Sequence, residues 1–455
     1  MGRKLPMECP AAPEKAFEDF EKERICQTTY HIELVTPLFG GGAVPGENDP
    51  VTLIRGPGIR GNLRFWWRAT RGAKFENVEE LRKREGEIWG TASYSSPVTI
   101  IIKDETKSKG EQWARYELDQ KKRGVKSLPK PIDKNFKMYA LFPFKGKAEK
   151  GIIIEQPSIV TTKASFNLVL KWPRNIDLFM EIEAAVWAWV NFGGLGARTR
   201  RGCGALYCST LSPSWENVNS LKNWYKRCLD KYSIELPTET RGWPTLPTHE
   251  EILLKTKNNR VNVMKPLEAW SKTIEALENF RQGTGIGRRS KNKGKYGRSL
   301  WPEADSLRNI TGQAQKSFQN RITGNKDAFP RAEFGLPIVF HFKDGSPKGN
   351  DPADCELLPP CDLERMSSPL ILKPLAVSPD QAVSIILPLR TNLPGGVTVK
   401  YTDASNKVRK KFLGEDYISG SHLAAYTNSP LRFASSSGSA LEAFLEYARS
   451  REGFC

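Results

Sequence analysis

The stretch LFMEIEAAVWAWVNFGGLGARTRRGCGALYC, residues 178–208, sets the plan for the first half of the chain. Its apolar residues predict a strong helix over residues 178–192, and a glycine-rich loop follows over residues 193–204. The apolar run at residues 204–208 then supplies a strand. Helix, loop and strand in this order predict the closing part of an α+β domain.

The segments before this stretch predict the rest of the same domain. Residues 30–36, YHIELVT, alternate polar and apolar side chains and meet Pro37, a pattern typical of a half-buried strand. A helix is predicted over residues 59–71, and strand-like runs lie at residues 98–102, 138–142 and 165–170. We read the order as β, α, β, β, α, β, which is the split βαβ or ferredoxin-like plan that RNA-recognition modules share.

A second unit is predicted after a proline-rich junction around a helical stretch at residues 215–232. Helices are expected at residues 266–281 and 440–450, and strands at residues 336–342, 369–375 and 382–388. The expected domains are an N-terminal arm (1–26), a first ferredoxin-like domain (27–211), a helical linker (212–248) and a second ferredoxin-like domain (249–455). The fold class is therefore α+β, with two ferredoxin-like (RRM-like) domains, antiparallel sheets and helical insertions.

The charge of the chain indicates a polyanionic partner. Over 455 residues the formal net charge is +18, so nucleic acid is the first candidate and an acidic membrane surface the second. The longest apolar stretches fall well short of the ~20 residues that span a bilayer, and the start lacks an apolar signal-peptide core. A cytoplasmic location is expected.

Cysteine and histidine patterns argue against metal and nucleophilic chemistry. The eight cysteines are scattered, without the C-x2-C pair of a zinc ribbon or a redox dithiol, so we expect no structural metal and no cofactor. The four histidines stand apart from any Ser, Cys or carboxylate in a nucleophile pattern. We therefore expect no catalytic residue.

Three basic elements are the candidate contacts to a polyanion. In residues 54–72, IRGPGIRGNLRFWWRATRG, arginines fall on one helical face while Trp66 and Trp67 are expected in the core. No acidic residue occurs between Arg55 and Lys74, so contact with RNA or phosphate is favoured over an ordinary amphipathic helix with solvated arginines.

The loop 193–204 is the second element, because glycines let a backbone approach a phosphate closely and expose N–H groups. It lacks the Gly-Lys-Ser/Thr of a Walker loop, and a plain helix-closing turn is the alternative. Residues 281–298, RQGTGIGRRSKNKGKYGR, are the third element, with a solvated charged face as their alternative. The candidate RNA-binding residues are Arg55, Arg60, Arg64, Arg68, Arg71, Gly193, Gly194, Gly196, Arg198, Arg200, Arg201, Arg281, Arg288, Arg289, Lys291, Lys293, Lys295 and Arg298.

These motifs carry a family resemblance. VTPLFGGG (35–42), IRGPGIRGNLRFWWRA (54–69), EIWG (87–90) and GGLGARTRRGCGAL (193–206) resemble the RAMP superfamily of CRISPR systems. Within it, YGRSLWPEADSLR (296–308), FGLPIVFHF (334–342) and RMSSPLILKPL (365–375) are similar to the first-subunit family of the type III-B (Cmr) effector complex.

The resemblance implies a non-catalytic RNA-binding subunit that holds the guide RNA and its paired target near the guide 3′ end, in antiviral defence. It also implies the repeated backbone subunit and the other capping RAMP subunit as partners, with target RNA cut by other subunits. Two alternatives stay open: a metal-independent endoribonuclease that processes CRISPR transcripts with a histidine, and a duplex-binding architectural protein.

Overall fold

The chain is α+β with antiparallel sheets, as a computed structural model shows. The structure describes residues 24–42, 44, 46–49, 51–120, 124–214, 220–290, 297–318, 326–342, 345, 350–424, 426, 428–434 and 437–455. Residues 1–23 of the expected N-terminal arm lie outside these ranges.

Three larger sheets and nine helices of the described residues make up the fold. The strands are β1 (Ile25–Leu34), β2 (Thr99–Lys107), β3 (Ala164–Pro173), β4 (Leu206–Tyr207), β5 (Leu253–Leu254), β6 (Val263–Met264), β7 (Ile338–Phe340), β8 (Cys355–Leu358), β9 (Leu370–Ala376), β10 (Ala382–Pro388), β11 (Gly396–Thr402) and β12 (Val408–Gly414). The helices are α1 (Gly56–Ala69), α2 (Val78–Trp89), α3 (Met138–Leu141), α4 (Phe179–Phe192), α5 (Leu221–Lys231), α6 (Pro266–Gln282), α7 (Glu303–Thr311), α8 (Ser421–Ala424) and α9 (Ala440–Glu452). Short two-stranded ribbons pair Glu111–Gln112 with Ile159–Val160, Ala114–Arg115 with Lys130–Pro131, Lys147–Glu149 with Ile152–Glu155, and Thr256–Lys257 with Arg260–Val261.

The first sheet has the order β4-β1-β3-β2, with every pair antiparallel. Alternation along β1 and β3 buries Ile32 and its neighbour Phe166 on one face and leaves His31 exposed on the other. The buried face belongs to the same core as apolar residues of α1 and α4. The helices predicted at 59–71 and 178–192 and the strands predicted at 30–36, 98–102, 165–170 and 204–208 are confirmed. Two of the strands, β1 and β2, extend well beyond the predicted ends, and β4 is shorter than predicted.

The strand predicted at residues 138–142 is wrong. These residues form the short helix α3, which a 3₁₀ turn at Phe142–Phe144 continues. A short unbroken apolar run cannot by its period distinguish a strand from a buried helical turn. Here Leu141 and Phe144 pack into the core cluster that also holds residues of α6 and α9, within the insertion that joins β2 to β3.

The second sheet centres on β10, which pairs with β9 on one side and with β5 and β6 on the other. The chain end adds to this sheet, because the Leu254 N–H donates to the Cys455 carbonyl at 2.8 Å and the Cys455 N–H donates back at 2.9 Å. Helices α6 and α9 pack over it. Below, the first unit is the first sheet with α1, α2 and α4, and the second unit is the second sheet with α6 and α9. The strands predicted at 369–375 and 382–388 and the helices predicted at 266–281 and 440–450 are confirmed.

A third sheet, in the order β7-β8-β11-β12, has its own small core around Leu357, Val397 and Val399. The predicted strand at 336–342 appears here as β7. Its strands come from the two segments that flank the β9–β10 hairpin, so this sheet is an insertion in the second unit.

Helix α4 lies between the first and second sheets. Eleven of its fourteen residues are buried, which requires apolar side chains around most of its circumference. Its core cluster includes Ile371 and Ile385 from one face of the second sheet, while Leu372 and Ile386 on the other face belong to the cluster of α6. The strands β9 and β10 are therefore buried on both faces.

A buried lysine connects the second sheet to the end of α4. Lys373 has no exposed surface, and its Nζ donates to the Gly193 carbonyl at 2.9 Å and lies 3.5 Å from that of Val190. Carbonyls at a helix C-terminus lack intrahelical partners, so the amine satisfies groups that would otherwise be buried without one. Burial lowers the pKa of Lys373 to about 7.

Replacing this lysine should change how stability depends on pH. Between about pH 7 and 10, Lys373 is neutral in the folded state and protonated in the unfolded chain. Its contribution to the free energy of unfolding therefore rises with pH in this range and is constant below pH 7. Lys373→Met should remove this rise, whose slope is up to about 1.4 kcal/mol per pH unit between pH 7 and 8.5. Urea unfolding at a series of pH values measures it.

The exposed Lys410→Met variant is the control, and its curve should follow the wild-type curve. If the wild-type and Lys373→Met curves run parallel between pH 7 and 8.5, the assignment of a neutral buried amine is wrong.

Candidate nucleic-acid interface

The arginine face of α1 lies against the end of α2. Arg60 donates to the carbonyl of Trp89 at 3.4 Å and to that of Val98 at 3.0 Å, and Arg64 donates to that of Gly90 at 3.3 Å. Helix α2 has no basic residue in its own last turn, so these guanidinium groups supply the positive charge that the end of a helix dipole favours. Partial burial and the neighbouring Arg64 lower the pKa of Arg60.

One carboxylate of α2 joins two of these arginines. Glu85 Oε1 lies 2.6 Å from Arg64 Nε and 2.6 Å from Arg68 Nη1, and the Glu85 side chain is only 5% exposed. The arginine side chains remain 36% and 30% exposed, so each keeps part of its guanidinium group toward solvent. They are thus both structural ligands of Glu85 and accessible cations.

The outer members of the arginine series also have partners in the protein. Arg71 donates to the Ser233 carbonyl at 2.7 Å and pairs with Glu181 at 3.3 Å. Arg55 donates to the Gly41 carbonyl and lies 4.0 Å from Asp49. Although no acid occurs between Arg55 and Lys74, acids outside that segment lie within ion-pair distance of four of its five arginines. The fifth, Arg60, donates to backbone carbonyls instead.

Trp66 and Trp67 are buried, as predicted. The Trp67 Nε1–H donates to Glu181 Oε2 at 2.7 Å, so this carboxylate is shared with Arg71. Sequence spacing could not reveal the contacts of Glu85 and Glu181. The one available signal was that Glu85 stands two residues before the EIWG motif.

The glycines of the 193–204 loop allow the chain to pack against itself. A Cβ on Gly202 would lie 2.4 Å from the Trp270 ring, and one on Gly204 would lie 2.0 Å from the Leu195 carbonyl oxygen. At Gly193 the added atom would meet Trp66, and at Gly194 it would meet Gly204. These glycines permit close contacts between parts of the protein. The sequence had instead suggested that they allow a phosphate to come close to the backbone.

Several loop N–H groups are likewise occupied within the protein. Those of Leu195, Ala197 and Gly204 donate to the carbonyls of Gly204, Phe39 and Pro37 at 2.9, 2.6 and 2.9 Å. Gly196 is exposed at the loop surface. RNA contact by Gly193, Gly194 and Gly196 stays a prediction.

Two of the three loop arginines lie at the seam, where the first and second units meet, and the third lies at the surface. Arg200 donates to the Ser368 carbonyl, and Arg201 donates to the Leu370 carbonyl at 2.8 Å, so both reach the second unit. Burial lowers the pKa of each to about 10, which leaves both charged at neutral pH. Arg198 is exposed, and within the described ranges no carboxylate pairs with it.

The third basic element begins and ends in ordered structure. The Arg289 N–H donates to the Arg298 carbonyl at 2.9 Å, and the Leu300 N–H donates to that of Gly287 at 2.9 Å, which closes the base of a loop. Arg281 donates to the Tyr139 hydroxyl at 2.9 Å, and Arg298 pairs with Asp305 at 2.6 Å.

Arg288 is half-buried at the loop base, and Arg289 is exposed. Lys291, Lys293 and Lys295 lie outside the described residues.

The described residues also bear on metal binding, membrane insertion and histidine chemistry. The described part of the chain contains no group of three or more His, Cys, Asp or Glu side chains placed to hold a metal ion. Of its helices, none is long and apolar enough to cross a membrane. Exposed His31 contacts Asn167 Oδ1 through Nδ1 at 2.9 Å, and exposed His341 contacts Asp354 at 2.8 Å.

Comparison with known proteins identifies the class of the first unit. Residues 31–207 match the model of the RAMP superfamily, a range that runs from β1 to β4 and includes α1, α4 and the glycine-rich loop. This part of the chain is therefore similar to the RAMP superfamily. More particularly, it resembles two subunits of the Cmr system of Pyrococcus furiosus.

The first of these relatives is CRISPR system Cmr subunit Cmr1-2, which is 28% identical over 191 residues, or 41% of this chain and 96% of the relative. The second, Cmr1-1, is 25% identical over 224 residues, or 47% of this chain and 56% of the relative.

Solved structures give a weaker likeness. The apo crystal structure of Cmr1 from Pyrococcus furiosus has a TM-score of 0.44 at 16% identity and covers 81% of this chain and 89% of its own. A chain of the type III-B Cmr-beta complex bound to cognate target RNA has a TM-score of 0.41 at 13% identity, covering 87% and 97%. The resemblance to the RAMP superfamily and to Cmr subunits rests on the sequence matches.

Removing the shared carboxylate should destabilise the first unit. Glu85→Ala leaves Arg64 and Arg68 without their common acceptor in a half-buried site, so we expect a loss of about 1–3 kcal/mol in the free energy of unfolding. Glu79→Ala, at an exposed position in the first turn of the same helix, should cost less than about 0.5 kcal/mol. Equal losses in urea unfolding would show that the Glu85 contacts contribute nothing.

Proposed function

We propose that this protein is a non-catalytic RNA-binding subunit of a type III-B CRISPR effector complex. It holds the guide RNA and its paired target near the guide 3′ end, in antiviral defence. Its protein partners are other RAMP subunits, above all the repeated backbone subunit and the other capping subunit. The observation that carries this proposal is the sequence similarity of the RAMP unit to two proteins named as Cmr subunits.

The fold supports the proposal at a finer level. In the first unit the strands are connected as β, α, β, β, α, β and ordered fourth, first, third, second in the sheet. In the second unit the order across the sheet is chain end, β5, β10, β9, because the chain end pairs with β5 and β10 pairs with both β5 and β9. This is again fourth, first, third, second in chain order. We therefore propose that both units are ferredoxin-like domains.

The distribution of charge supports backbone contacts to RNA. The net charge is +18, and Arg198 and Arg289 are exposed cations without a carboxylate partner among the described residues. Arg64 and Arg68 keep solvent-facing surface beside Glu85. Phosphate contacts of this kind position a nucleic acid without reading its sequence.

A nuclease is the second candidate, and we propose His31 as its base because it stands on the open face of the RAMP-like unit. His31 is exposed on the open face of the first sheet, where Asn167 orients its Nδ1 and Asn167 donates in turn to Asp104 at 2.7 Å. An oriented imidazole could serve as a general base toward a 2′-hydroxyl. Incubation of repeat RNA with the protein in EDTA tests this: cleavage that Asn167→Ala weakens and His31→Ala abolishes would replace the non-catalytic proposal.

The salt dependence of RNA binding tests the exposed arginines. Arg198→Gln and Arg289→Gln should each weaken binding of single-stranded RNA by a similar factor for unrelated sequences. Each should lower the slope of log K against log salt by about 0.7, since each removes one phosphate contact. Fluorescence anisotropy of the full chain with labelled RNA measures both quantities.

Arg227→Gln is the matched control, because Arg227 is an exposed arginine on α5 in the linker region. An unchanged slope in both test variants, or an equal drop in the control, would argue against these positions as contacts.

The position along the guide needs a separate test in the assembled complex. We expect guide RNA with a photoreactive base at its 3′ end to crosslink to this chain, and guide RNA with the same base near its 5′ end to crosslink elsewhere. The reverse pattern would contradict the placement while leaving RNA binding intact.

A further inference from the structure

A recessed cavity of about 320 Å³ lies at the seam of the two units, next to the glycine-rich loop. Phe65 of α1 and Arg200 of the loop line it from the first unit. Segments 366–369 and 391–394 line it from the second unit, and Glu333 also lines it. The volume is at the low end of small-ligand pockets.

The Arg200 guanidinium is held in place at one side of this cavity. Its carbon lies 5.2 Å from the centroid of the Phe65 ring, and Nη1 donates to the Ser368 carbonyl. The Phe65 ring packs edge-on against Trp66, with centroids 5.1 Å apart. A planar cation fixed on an aromatic ring offers a flat surface on which another planar group can stack.

Hydrogen-bonding groups complete the lining. The Glu333 residue is only 2% exposed, and its Oε2 accepts bonds from the Ser439 hydroxyl at 2.7 Å and the Leu441 N–H at 2.8 Å. Burial raises the pKa of Glu333 to about 7. Asn392 Oδ1 accepts from the Thr240 hydroxyl at 2.5 Å, which leaves the Asn392 amide N–H groups as donors.

We propose that this cavity takes one unstacked nucleobase of the bound RNA, stacked against the Arg200 and Phe65 layer, with its N–H edge toward Glu333. The proposal rests on the proposed RNA-binding function and deepens it. Arg200 stands two residues after the exposed Arg198 in the same loop, so in this proposal one strand contacts Arg198 through a phosphate and places a neighbouring base in the cavity.

The lining favours a base over a phosphate. Arg200 and Glu333 both line this cavity, and within the described ranges they form no ion pair with each other. The Glu333 carboxylate would repel a phosphate, whereas ring or exocyclic N–H groups of a base can donate hydrogen bonds to it. Pro244, Met366 and Leu393 add apolar walls that suit a flat ring.

Photocrosslinking tests the proposal directly. The full chain is bound to single-stranded RNA containing 4-thiouridine and irradiated, and crosslinked peptides are mapped by mass spectrometry. We expect crosslinks on the peptides that contain Phe65 or Met366. Leu393→Glu, at the half-exposed rim, should lower their yield at least fivefold while the salt slope of binding stays unchanged.

Two further variants make the result specific. Leu363→Glu introduces the same charge at an exposed leucine outside the cavity and should leave the yield unchanged. Glu333→Gln keeps an acceptor for Ser439 and Leu441 but removes the carboxylate, and should lower the yield several-fold. If the full chain binds RNA but crosslinks form only on other peptides, the base pocket is wrong and the proposed RNA binding stands. If the full chain binds no RNA, both proposals are wrong.

Discussion

The burial of helix α4 between two sheets is the constraint on which the rest of the structure depends. Its side chains pack against the first sheet on one side and against Ile371 and Ile385 of the second on the other. The carbonyls at its end are then far from water, and Lys373 satisfies them from the second sheet. The glycine-rich loop leaves α4 at this point, so its path is set by both units together.

The arginines show how one residue type serves two purposes in this protein. Arg60 and Arg64 place positive charge at the C-terminal end of α2, and Arg68 pairs with Glu85. Arg200 and Arg201 donate to carbonyls across the seam. Such contacts hold guanidinium groups in fixed positions while part of their surface stays open. An RNA-binding surface built on them would be preorganised, because little side-chain entropy remains to be lost on binding.

Much of the fold could be predicted from sequence because its signals are local. The alternation in residues 30–36 predicted β1, and the apolar periodicity of residues 266–281 predicted α6. The 138–142 run was misassigned because its helical form depends on where Leu141 packs, which no local period records. Of the candidate site, sequence located the basic elements but not their partners, since Glu85 and Ser368 are distant along the chain.

The sequence by itself determined the α+β class, the strands of the first sheet and the helices α1 and α4, the resemblance of that unit to the RAMP superfamily, and the excess of positive charge. Periodicity, motifs and composition are properties of neighbouring residues, so they can be read without coordinates. Tertiary structure alone decided that Lys373 is buried as an amine, that the loop glycines pack against protein, and that Phe65, Glu333 and Asn392 surround one cavity. These features depend on distances between segments that only folding brings together.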